Sequence, residues 1–121
     1  MRATGRPTET NPDEVFDLLG DEYVRDILVA TSREALSAKE LSDRCGMSVS
    51  TVYRRAETLT SHGLLVERTH IDRDGHHHSE FEAAIDHLDV DLDADGFNIA
   101  LRQKEDVVDR FTRVWEGIRR D

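Results

Sequence analysis

KELSDRCGMSVSTVYRRAETLTSHGLLVER, residues Lys39–Arg68, decides the fold. Apolar residues recur at helical steps on both sides of one glycine. Before Gly46, Leu41 and Cys45 share a helical face; after it, Val52, Ala56 and Leu59 share another. Ser37 and Glu40, three residues apart, form a capping box that opens the first of these helices. Gly46 ends it, Met47 plugs the junction and Ser48 caps the second helix. Gly63 stops that helix, and from Leu64-Leu65-Val66 onward the apolar spacing becomes continuous or alternating, as in a strand. Two helices on a tight turn, followed by a hairpin, make a helix-turn-helix with a wing.

Beyond Arg68, Asp72-Arg73-Asp74-Gly75 is turn chemistry, and His76 to Ala84 reads as the return strand. A second alternation, Leu88, Val90, Leu92, then Asp93-Ala94-Asp95-Gly96, then Phe97, Ile99, Leu101, reads as another hairpin. The last segment, Lys104 to Arg120, reads as one long helix with Val107, Val108, Phe111, Val114, Trp115 and Ile118 along one stripe. Upstream, Asn11-Pro12-Asp13-Glu14 opens a short helix carrying Val15, Phe16, Leu18 and Leu19. Gly20 interrupts it, and Asp21 starts another with Tyr23, Val24, Ile27 and Leu28. Residues 1–10 read as a loose tail. The expected fold class is α+β: a winged helix-turn-helix over 11–102, with a C-terminal dimerisation helix over 103–121.

A helix projecting from such a motif fits the DNA major groove, which is ~12 Å wide and admits one helix. The outward positions near its N-terminus are Ser50, Thr51, Tyr53, Arg54 and Arg55, preceded by the cap Ser48. Hydroxyls bond phosphates or bases, and Arg forks onto guanine. Ser48, Ser50, Thr51, Tyr53, Arg54 and Arg55 are therefore the candidate DNA contacts, with Arg54 or Arg55 for direct readout. Arg73 at the wing tip is a candidate minor-groove contact, although Asp72 and Asp74 beside it repel phosphate. The bland alternative for the helix face is a solvated, salt-bridged surface.

The Lys39–Arg68 run resembles the winged-helix regulators related to the ArsR group, especially their haloarchaeal branch. It carries their Gly turn, Ser-x-Ser-Thr, Arg, Leu and Gly-Leu before a strand. The resemblance covers about a quarter of the chain strictly. It implies a dimeric repressor or activator of genes answering reactive oxygen species.

The chain has 121 residues, room for one domain, and a net charge of -10. Lys39 and Lys104 are its two lysines; the other basic residues are arginines. Acidity with scarce lysine fits a protein adapted to molar salt, where charge repulsion is screened within ~3 Å. The acidity avoids the proposed DNA face. From Arg44 to Ser79 five arginines oppose four carboxylates, a net of +1, which leaves -11 for the rest. At molar salt the release of counterions cannot drive binding. Shape, direct hydrogen bonds and cations held between carboxylates and phosphates are expected to carry it, with a shallow or inverted salt dependence.

Other features weigh less. His76 and His78, joined across the hairpin by His70, are weak candidates for a metal site; the alternative is a polar wing in water or against phosphate. Cys45 is a single thiol at an inward position, where thiols are mostly inert. It has no partner for a disulfide, and no signal peptide or membrane span is apparent, so the cytoplasm is the expected location. No catalytic motif is present, and neither an enzyme nor a cofactor is expected. The 107–118 stripe either packs on its own domain or forms a dimer seam, the favoured reading. The expected partners are a second copy and double-stranded DNA with a roughly palindromic operator. The rival readings are a winged helix that binds proteins of the transcription machinery, and a metal-responsive repressor.

Overall fold

The structure is a computed structural model and describes residues 8–104. Local capping sets its helices. Asn11 Oδ1 accepts hydrogen bonds from the amides of Asp13 at 2.9 Å and Glu14 at 3.3 Å, opening α1 (Pro12–Leu19). Asp21 accepts from the Tyr23 amide at 2.8 Å, opening α2 (Glu22–Thr31). Ser37 and Glu40 exchange bonds of 3.1 and 2.9 Å, the expected capping box of α3 (Ala38–Cys45). Gly46 has a φ of 67°, a left-handed conformation that a Cβ disfavours, so the chain reverses there at no steric cost. Met47 is buried in the junction, and Ser48 caps α4 (Val49–Ser61) by accepting from the Thr51 amide at 3.1 Å.

The wing is β3 (Leu65–Ile71) paired antiparallel with β4 (His77–Ala83). A two-residue strand, β2 (Leu36–Ser37), pairs on the other side of β4 and places Leu36 opposite Phe81. Two residues have no period to read, so β2 was not foreseeable. The second hairpin, β5 (Ile85–Asp93) and β6 (Gly96–Gln103), forms as expected, with an irregularity between Ile85 and His87. Its outer edge differs from expectation. Thr8–Thr10, placed in the loose tail, form β1 and pair antiparallel with β6, giving the order β1-β6-β5. Alternating threonines suit a strand, and β6 offers a free row of backbone groups.

Val24 and Ile27 of α2, Leu41 of α3, and Val52, Ala56 and Leu59 of α4 meet Phe81 of β4 and Ile99 and Leu101 of β6 in one core. The period-two alternation of the second hairpin puts Leu88, Val90 and Leu92 on the face of Leu101, Ile99 and Phe97. On that face Ile99 and Leu101 are buried and Leu88 is half-buried, and Phe97 at the outer end meets Phe16 edge to face at 5.6 Å.

Lys104 corrects the expected start of the C-terminal helix. It follows β6 outside any helix and is buried. Its ammonium donates to the Ser32 carbonyl at 2.9 Å and lies 3.6 Å from Glu82, which also meets Arg68 at 3.2 Å. The carbonyl end of α2 and a buried carboxylate together draw the cation inward. Val107, Val108, Phe111, Val114, Trp115 and Ile118 lie outside the described residues.

Candidate nucleic-acid interface

The start of α4 gathers three hydroxyls. Ser48 Oγ donates to Thr51 Oγ1 at 2.9 Å and lies 3.2 Å from Ser50 Oγ. Ser48 and Ser50 are exposed and Thr51 is half-buried. Unpaired amides at a helix N-terminus favour an anion, so a phosphate would find hydroxyl donors and a positive dipole end together. One turn later, Tyr53 is half exposed while its ring stands edge-on to Phe81, 6.2 Å between centroids. Packing thus fixes a residue that still faces solvent. Arg54 beside it is exposed, and no ion pair or hydrogen bond engages its side chain among the described residues.

Arg55 goes elsewhere. Its Nε lies 2.7 Å from Asp21 Oδ2, and its guanidinium stands 6.0 Å from the Tyr23 ring centre. Consecutive helical residues point about 100° apart. The two arginines therefore cannot share a direction, and Arg55 ties α4 to the N-terminus of α2. Glu57, three residues past Arg54, is on the exposed side and walls a groove of about 520 Å³ with Tyr53, Glu67 and Phe81. Its carboxylate leaves the N-terminal half of α4 as the part suited to a polyanion.

His62 closes the other end of α4, a role not read from the sequence. Its Nδ1 is 2.9 Å from the Thr58 carbonyl and its Nε2 is 2.8 Å from the Glu14 carboxylate. Both neighbours are acceptors, so only the imidazolium donates to both. The Thr58 carbonyl and then the Glu14 carboxylate hold the His62 pKa above its ordinary 6.5. A raised folded-state pKa stabilises fully below the unfolded value and ceases to do so as pH rises through the folded one. Urea midpoints of the wild type and His62→Ala should therefore differ most below pH 6.5 and converge above the raised value. A gap that widens toward pH 8 would contradict this assignment.

At the wing, Arg73 is exposed in the turn between the strands. Asp72 Oδ1 accepts from the amides of Asp74 and His76, both at 3.0 Å, and Gly75 takes a φ of 82°. His76 lies in this turn, one residue before β4, and not on a strand face with His78. His70 and His78 are register partners with rings 5.0 Å apart. The three candidate histidines do not bring their nitrogens within 4.8 Å of one another; His76 groups instead with Asp72 and Asp74. The turn's own hydrogen bonds account for that grouping. Cys45 is partly buried, and desolvation, followed by the nearby Asp26 charge, raises its pKa. Its thiolate is thereby disfavoured.

Residues 27–69 match the IclR helix-turn-helix domain. The matched span runs from within α2 through α3 and α4 into β3, the elements that form the motif. The chain has no match among curated proteins. The chain thus carries a helix-turn-helix DNA-binding domain of the kind found in transcription regulators, in a winged α+β setting. None of the described helices is long and apolar enough to cross a membrane.

Proposed function

We propose that this protein regulates transcription as a homodimer that reads a roughly palindromic operator through α4. The observation that carries the proposal is the exposed, hydroxyl-rich start of α4, with Arg54 and Tyr53 one turn on, inside the matched motif. Ser48, Ser50 and Thr51 bond phosphates or base edges, Arg54 reads a base, and Arg73 approaches a flanking minor groove. The C-terminal stripe supplies the dimer seam, through Phe111, Val114, Trp115 and Ile118. The resemblance to haloarchaeal ArsR-related regulators supports a response to oxidants in a salt-adapted cytoplasm. The raised pKa of Cys45 argues that such a signal does not enter through its thiolate.

Hydroxyl-radical footprinting on bound genomic DNA tests this. Two protected patches centred one helical turn apart, about 34 Å, are expected from a dimer of winged helices. A single patch from a sedimenting monomer would overturn the dimer, and no protection at any salt would overturn DNA readout.

A further inference from the structure

Between the end of α2 and the start of β5 runs an apolar groove of about 340 Å³, lined by Leu19, Leu28, Val29, Ala83, Ile85 and Leu88. Leu19, Leu28, Ile85 and Leu88 reach the core from it, while Val29 is 70% exposed. The described chain ends at this groove. The Lys104 amide donates to the Ala84 carbonyl at 2.8 Å, and its ammonium donates to the carbonyl of Ser32, a residue of the groove wall. The next apolar residues are Val107 and Val108, after Glu105 and Asp106. Four residues reach at most ~14 Å, so the groove lies within the tether's range.

We propose that this groove seats Val107 and Val108 of the same chain. The tether decides between copies. One hydrogen bond to Ser32 on the groove wall and one to Ala84, between the lining residues Ala83 and Ile85, hold Lys104 beside the groove, which gives the following residues a high local concentration that a second molecule would have to outcompete. Burying two valines removes apolar surface from water on both sides of the contact. The start of the C-terminal segment is thereby clamped to α2, the helix that also holds Arg55 of α4. Phe111, Val114, Trp115 and Ile118 remain for a second copy. The inference does not depend on DNA binding.

Methyl NOE spectroscopy on the full chain tests it, using one uniformly labelled sample and one mixed from labelled and unlabelled protein. Cross-peaks from Val107 or Val108 to Val29 and Leu88 are expected in the first sample and not in the between-chain spectrum of the second. Val29→Asp, at an exposed position, should abolish them while α3 and α4 resonances stay in place. An absence of cross-peaks to the groove, or cross-peaks only between chains, would overturn the proposal. Sedimentation of the same samples judges the dimer separately: a monomer with same-chain cross-peaks would sink the dimer and keep the groove contact.

Discussion

Arg54→Ala should weaken operator binding by ~1–3 kcal/mol, roughly 5- to 150-fold, with no change in melting temperature. The side chain is exposed, so its removal leaves no cavity and breaks no internal contact. Its neighbour should behave in the opposite way. Arg55 is held against Asp21 at 2.7 Å in a pair whose side chains are 28% and 29% exposed. Arg55→Ala should lower stability by about 1 kcal/mol while the folded fraction binds DNA nearly as well as wild type. Fluorescence anisotropy and thermal melts on both variants separate the roles. A loss of DNA affinity confined to Arg55→Ala, with its melt unchanged, would exchange the two assignments.

Lys104→Met should cost about 2–3 kcal/mol of stability. Methionine keeps most of the aliphatic volume, so the loss falls on the ammonium. Without it, the Ser32 carbonyl loses its donor and the buried Glu82 loses one of its cations. Removing one partner of a buried pair costs ~3–5 kcal/mol when nothing compensates, and Arg68 at 3.2 Å still faces Glu82. For a domain of this size the melting temperature should fall by about 10–15 °C. Adding Glu82→Gln should recover part of the loss, since the two changes share one interaction. Equal melts for wild type and Lys104→Met would show that the ammonium is not buried in this pair.

What the sequence made legible was local. Asn11, Asp21, the Ser37–Glu40 box, Gly46 and Ser48 each act within four residues, so the helices and the turn between them followed from spacing alone. Asp72 to Gly75 and Asp93 to Gly96 marked both hairpins for the same reason. The contacts that brace the motif join distant parts of the chain: Asp21 with Arg55, Glu14 with His62, and Ser32 and Glu82 with Lys104. No period or cap announces such pairs, and each residue taken singly looks like a solvated charge. Arg55 shows the consequence. Arg54 and Arg55 are interchangeable candidates in the sequence, and only the distant Asp21 that pairs with Arg55 tells them apart. Thr8–Thr10 escaped because three residues are too few to show a period, and the strand is defined by its pairing with the distant β6.

The most direct measurement is a titration of the purified protein against genomic fragments and a scrambled control at about 2 M KCl, where the screening length is near 3 Å or less and charge steering is suppressed. Selective binding to the genomic fragments, weakened by Arg54→Ala, is the result expected if α4 reads DNA. A folded protein that binds neither set, at this salt or at low salt, would contradict it and make the exposed face of α4 a surface for another protein.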